Sequence, residues 1–181
     1  MFEHALEAAS ATQVEDLGIV SIIARRDFEG RTTFRFRAQV PCLEYMSLLI
    51  ENGLLLRTNR AGRIYVGFEK LSRMEAVVDR YLRIADISER VYIFGEPDWK
   101  PPRHPNIKLI PQTGDALLAR EWFVIADSPS LHVALVAVDE DGFDIPDLDA
   151  RRFRAFKSSD SAIIKRLATA AENLIDASLA A

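Results

Sequence analysis

The chain has 181 residues, 49% of them hydrophobic and 28% charged, with 8 Gly, 8 Pro and a single Cys, the composition of one ordinary globular domain large enough to bury a core. Its 23 Lys and Arg against 27 Asp and Glu leave a net charge of -4, which removes the general attraction for a nucleic-acid backbone and speaks against a DNA- or RNA-binding role. One cysteine can form neither an internal disulfide nor a Cys-rich metal cage, the start Met1-Phe2-Glu3-His4-Ala5 lacks the basic region of a secretion signal, and the longest apolar run, Val133 to Val138, is far below the ~18 residues of a membrane span. A cytoplasmic chain without a membrane span is expected.

In chain order, residues 2 to 10 read as a short helix and Leu17 to Ile23 as a largely buried strand, followed by a charged loop. Alternation in Thr33-Phe-Arg-Phe-Arg37 puts Phe34 and Phe36 on one face and Arg35 and Arg37 on the other, as in a half-buried strand. Pro41 opens a helix through about Leu56, whose broad apolar face includes Leu43, Tyr45, Met46, Leu49, Ile50 and Leu54. Arg63 to Phe68 reads as a strand, and the i, i+3, i+4 recurrence of Leu71, Met74, Val78, Tyr81, Leu82 and Ala85 as an amphipathic helix after it. Arg90 to Phe94 is a short strand ending in the proline-rich stretch 95 to 105, a stiff exposed excursion. Ile107 to Ile110, Trp122 to Ala126 and Leu131 to Val138 read as strands, the last two an antiparallel pair about the turn Asp127-Ser-Pro-Ser130. An acidic loop from Asp139 to Asp149 precedes a strand from Phe153 to Phe156, and Ser159 or Asp160 caps a final helix to about Ala177. No linker or repeat divides the chain, so the expected fold is a single α/β (α+β) domain spanning residues 1–181, with its core at about 15–178 and a mixed, partly antiparallel central sheet flanked by helices.

The chemistry-bearing motifs are mostly missing. His4, His104 and His132 stand apart from any metal-ligand spacing, so no metal site is expected. Gly62-Arg-Ile-Tyr-Val-Gly67 has the outer spacing of a phosphate loop, but Phe68-Glu69 stands where Lys and Ser or Thr would hold phosphate and magnesium; a turn and a strand is the better reading. No dinucleotide fingerprint or nucleophile elbow occurs. In the acidic loop Gly142 comes fourth rather than sixth, which does not fit a calcium loop. Cys42, at a helix start whose backbone N–H groups would lower a thiol pKa, reads as small apolar filler. The element order around Glu121-Trp-Phe-Val-Ile-Ala-Asp127 resembles half of a phospholipase D-like fold without its catalytic motif. Ala119-Arg120-Glu121 carries no histidine, so a hydrolase of that ancestry is only the alternative function.

Both tryptophans lie beside carboxylates at strand ends or loops, and aromatic walls with a few fixed charges are the material of ligand pockets and interfaces. The candidate ligand- or partner-binding set is Arg57, Asn59, Glu96, Asp98, Trp99, Glu121 and Trp122. The plainer alternatives are that Trp122 belongs to the core and that Trp99 covers the sheet edge. The final helix carries one apolar stripe of Ile163, Ile164, Leu167, Ala170, Ala171, Leu174 and Ile175. Packing on the domain's own sheet would bury it, but Ile163, Leu167, Ala170 and Leu174 also fit a two-helix seam, from which a homodimer through this helix is expected.

Six ordered stretches, Phe34 to Pro41, Leu43 to Asn52, Asp79 to Asp86, Val91 to Trp99, Glu121 to Asp127 and Arg152 to Lys157, together resemble the DICT sensory domain over nearly the whole chain. Gly53 departs from the Ala of the family's Glu-Asn-Ala-Leu-Leu-Leu stretch, which touches only local helix packing. The resemblance implies a non-enzymatic input domain of bacterial signal transduction, found with diguanylate cyclases and two-component systems, that binds a small ligand or a partner protein. It implies an output partner of the diguanylate cyclase or histidine kinase type and a light-linked role; no particular cofactor or chromophore is carried by any of the matching residues.

Overall fold

The computed structural model describes residues 1–56, 61–112, 118–142 and 147–180. Its strands are β1 (Glu15–Ile19), β2 (Thr33–Gln39), β3 (Arg63–Lys70), β4 (Arg90–Glu96), β5 (Ile107–Pro111), β6 (Glu121–Ser128), β7 (Leu131–Asp139) and β8 (Arg152–Ser158). They form one mixed sheet in the order β1-β2-β8-β7-β6-β3-β4-β5. β6 and β8 run against their neighbours, while β3, β4 and β5 pair in parallel. The helices are α1 (Phe2–Ala8), α2 (Arg25–Gly30), α3 (Val40–Leu55), α4 (Val78–Asp86) and α5 (Ser161–Ala180). The mixed α/β sheet expected from the alternating patterns is what forms.

Two cores fill the two faces of the sheet, because each central strand alternates apolar side chains to both sides. On one face Phe34, Phe36, Val66, Val124 and Leu135 pack under α2, α3 and α4. On the other, Tyr65, Phe94, Phe123, Val136 and Phe156 pack under α1 and α5. Gly67 is required by this packing: a Cβ there would lie 2.2 Å from the ring of Phe123. Gly62, at φ +111, sits in a region that L side chains avoid and faces the backbone of Ser128.

The connections place two helices side by side. β2 and β3 are consecutive in the chain but separated in the sheet by β8, β7 and β6, so α3 crosses three strands. Four successive antiparallel pairings separate β2 from β3, which makes those two strands point the same way. α3 and α4 therefore leave the same edge of the sheet and run back across it in the same direction.

Several expectations are corrected. The stretch Leu17 to Ile23 is not a buried strand: among the described residues β1 pairs with β2 alone, at the sheet edge, and Ile19 is 85% and Ile22 80% exposed. The charged loop after it contains α2, anchored by the buried Phe28. The amphipathic segment after β3 begins as a 3₁₀ helix, Leu71–Val77, and becomes α-helical only at Val78. In α5, Asp160 caps the first turn through Oδ1, which accepts the N–H groups of Ala162 at 2.8 Å and Ile163 at 3.4 Å. Ile163, Ile164, Leu167, Ala171 and Ile175 are buried on the domain's own sheet. Two of the four seam positions, Ile163 and Leu167, are thus consumed inside the fold.

Candidate functional site

Under α3 and α4, at the edge where β2, β3 and β7 end and β6 and β8 begin, lies a cavity of about 600 Å³. Its two walls are helical stripes. Glu44, Ser47, Leu48 and Glu51 of α3 recur at i, i+3, i+4, i+7, and Arg73, Ala76, Val77, Arg80 and Tyr81 do the same along the 3₁₀ segment and α4. The floor is made by Val66, Trp122, Val124 and Phe153. Trp122 stands edge-on to Phe153 at 6.3 Å between centroids, and its indole N–H donates to the Ser47 hydroxyl at 3.0 Å. Phe68 and Tyr81 meet edge-on at 5.7 Å.

The polar groups fall into two sets. In the first, the buried Glu51 carboxylate accepts from the Tyr81 hydroxyl at 2.8 Å and from Arg80 at 2.9 Å, bridging α3 to α4. Burial pushes the Glu51 pKa up, against the bonds from Tyr81 and Arg80, and pushes the Tyr81 hydroxyl well above its usual range. In the second, the buried Arg151 donates to Glu69 at 3.0 Å and to Asp139, and its guanidinium lies 5.6 Å from the Phe153 ring centroid. Burial opposes the charge of Arg151, but its bonds to Asp139 and Glu69 outweigh it and raise the pKa further. Arg73 reaches Glu69 at 3.5 Å, and Arg120 donates to the Asp139 carbonyl at 3.1 Å. No histidine, cysteine or lysine is among the residues described as lining the cavity. Among the described residues there is also no group of three His, Cys, Asp or Glu side chains placed to hold a metal ion.

Of the seven residues singled out in the sequence, the five that are described are not brought to one place. Trp122 forms part of the cavity floor. Glu121 borders the cavity, but its carboxylate accepts the backbone N–H of Phe2 at 2.9 Å and pairs with the Met1 ammonium at 2.5 Å. Trp99 lies in a second, shallower groove of about 440 Å³ with Leu71, Pro97, Leu109 and Pro111. Asp98 accepts there from the Ser72 hydroxyl at 2.6 Å and the Ser72 N–H at 2.9 Å, which hold its pKa below the usual carboxylate range. Glu96 is exposed and meets Lys70 at 3.7 Å. Arg57 and Asn59 lie outside the described residues. Cys42 is buried, and burial raises its thiol pKa, the reverse of the lowering a helix start would give.

Apart from Glu121, the charged groups of the cavity went unnoticed in the sequence. Tyr81 reads as one more apolar position of an amphipathic helix. The available signal was the seven-residue step from Glu44 to Glu51 and from Arg73 to Arg80, two stripes of opposite charge on consecutive helices.

Comparison with known proteins gives a family and a fold. The family model DICT, described as "Sensory domain in DIguanylate Cyclases and Two-component system", matches residues 42–140. That segment holds both helical walls of the cavity and the tryptophan of its floor; Asp149, Arg151 and Phe153 lie beyond it. No curated protein matches the chain. Among solved structures, the polyphosphate kinase from Porphyromonas gingivalis is similar in fold, with a TM-score of 0.56 and 10% sequence identity. The similarity covers 94% of this chain but only 31% of that one, and at such identity it concerns the fold alone.

Proposed function

The chain belongs to the DICT family of sensory domains, and we propose that it is a non-enzymatic input domain that takes a small ligand into the cavity between α3 and α4. The observation that carries this reading is the cavity itself: about 600 Å³, aromatic-floored, with a few fixed charges and within the size range of small-molecule sites. Two of the carboxylates that line it, Glu51 and Glu69, are engaged by arginines, an arrangement suited to a binding wall rather than to a nucleophile with its base. A ligand seated between the two helical stripes would change the spacing of α3 and α4, which Glu51, Arg80 and Tyr81 now bridge. That change would pass to an output module of the diguanylate cyclase or histidine kinase type. We place this activity in the cytoplasm; among the described residues no helix is long and apolar enough to cross a membrane. Residues 1–181 act as one unit in this reading, since α1 and α5 pack on the same face of the one sheet.

The test is thermal unfolding of the purified chain against fractions of a bacterial metabolite extract, with Val77→Trp as a variant whose cavity is filled. A fraction that raises the midpoint of the wild type and not of the variant is expected. No stabilising fraction, or equal stabilisation of both proteins, would overturn the reading.

A further inference from the structure

Internal pairing leaves part of the cavity's charge without a counterpart. On the α3 side, the exposed Glu44 and Asp149 both line the cavity, and neither side chain has an ion pair or hydrogen bond among the described residues. Burial and the Asp149 charge raise the pKa of Glu44, as two carboxylates without a cation would. On the α4 side and the floor, guanidinium donors are under-used. A guanidinium carries five N–H donors. Among the described residues the exposed Arg73 meets Glu69 alone, at the long distance of 3.5 Å, and the Nε of Arg120 is buried with no hydrogen-bond partner. Between the two sides lies the apolar floor of Val66, Trp122 and Phe153.

Resting on the reading that this cavity is the ligand site, we infer that its ligand is a small zwitterion with a flat apolar body, of the aromatic amino-acid or short-peptide class. Its ammonium group lies toward Glu44 and Asp149, and its carboxylate toward Arg73 and Arg120. An organic anion would meet the carboxylate side with like charge, and an amine would meet the guanidinium side with like charge. Only a molecule carrying both charges supplies a counterpart to each, with its ring over Trp122 between them.

The charges of one ring system can be removed one at a time. Isothermal titration calorimetry on the full chain with L-tryptophan, tryptamine and 3-indolepropionate compares the zwitterion with its cation-only and anion-only analogues. N-phenyl-1-naphthylamine fluorescence reports separately whether the cavity takes an uncharged apolar molecule at all. L-tryptophan should bind about tenfold or more tighter than either analogue, a difference of the size one charge-assisted contact gives. Glu44→Gln with Asp149→Asn should abolish its advantage over 3-indolepropionate, and Arg73→Gln with Arg120→Gln its advantage over tryptamine. Either analogue binding as tightly as L-tryptophan, or naphthylamine binding without any indole ligand, would overturn the zwitterion assignment while leaving the cavity as a ligand site. Binding of none of the four probes would overturn both readings.

Discussion

Lys157 offers the sharpest test of how burial and charge are balanced in this fold. Its side chain is 1% exposed on β8, pointing into the core under α2. The ammonium donates to the Arg31 carbonyl just past the end of α2 and to the Ser159 hydroxyl at 3.4 Å, and lies 5.0 and 5.6 Å from the ring centroids of Phe28 and Phe34. Burial lowers its pKa from 10.5 to about 8, against a smaller opposing effect of Glu29. A folded-state pKa below the unfolded value means the charged form is disfavoured by folding. The penalty is fully present below pH 8 and fades between 8 and 10.5, where the unfolded chain holds the proton more tightly and stability rises with pH. The full penalty is about 3 kcal/mol. Lys157→Met removes it, but also removes a hydrogen bond of about 1 kcal/mol and cation-π contacts of about 1 to 2 kcal/mol. The variant should therefore unfold within about 1 kcal/mol of the wild type at pH 7. Urea unfolding followed by circular dichroism at pH 7 and about pH 9.5 measures the difference, in which other titrating groups cancel. The wild type should gain about 2 kcal/mol on the variant between the two conditions. A difference that stays constant with pH, or a loss of about 4 kcal/mol in the variant at pH 7, would refute the picture of a desolvated ammonium held by a carbonyl and two rings.

Three further changes probe other parts of the fold. Gly67→Ala drives a Cβ to 2.2 Å from the Phe123 ring and should destabilise by about 1 to 3 kcal/mol, with Phe123→Leu in the same chain recovering part of the loss; additive effects in urea unfolding would exclude the clash. Arg151→Met leaves the buried Asp139 carboxylate without its guanidinium, and a loss of about 3 to 5 kcal/mol is expected by chemical denaturation, whereas a loss below about 1 kcal/mol would mean that the pair contributes little. Leu167→Glu places a charge at a fully buried position of α5 and should unfold the monomer, a change of about 4 kcal/mol or more; a folded variant that had merely lost a dimer in native mass measurement would instead place Leu167 in a seam between copies.

Which parts of this architecture can be read from the chain follows from where each signal is stored. Phe34 and Phe36 against Arg35 and Arg37 show a half-buried strand because the period of two is local, and the β6–β7 hairpin is likewise fixed by residues close in sequence. Leu17 to Ile23 misleads for the opposite reason. Its apolar run promises neighbours on both sides, but β1 takes the outermost place in the sheet and leaves Ile19 and Ile22 in solvent. No local pattern states where in the sheet a strand will be placed. The α5 stripe has the same ambiguity, since seven apolar positions specify that something covers them but not whether it is the domain's own Phe156 face or a second chain.

The cavity depends on the same non-local information. Trp99 and Trp122 look equivalent in sequence, each an aromatic residue beside a carboxylate, yet Trp122 alternates onto the face under α3 while Trp99 leaves the end of β4 and settles in a separate groove. Glu121 shows how sharply the alternation decides: one position before Trp122, it sends its carboxylate to the N-terminal segment on the opposite face. The seven-residue steps Glu44 to Glu51 and Arg73 to Arg80 were present in the chain, and taken singly each is an ordinary charged edge of an amphipathic helix. They become one site only because α3 crosses three strands while α4 crosses to the adjacent one, in the same direction and on the same face. With the two stripes in register, Glu51 and Arg80 close on each other at 2.9 Å. Glu44 and Arg73, one stripe-length toward the strand ends, have no such bond between them. The opening is thus a consequence of the crossover, and Glu44 and Arg73 at its mouth are the groups to which the proposed ligand would bring counterparts.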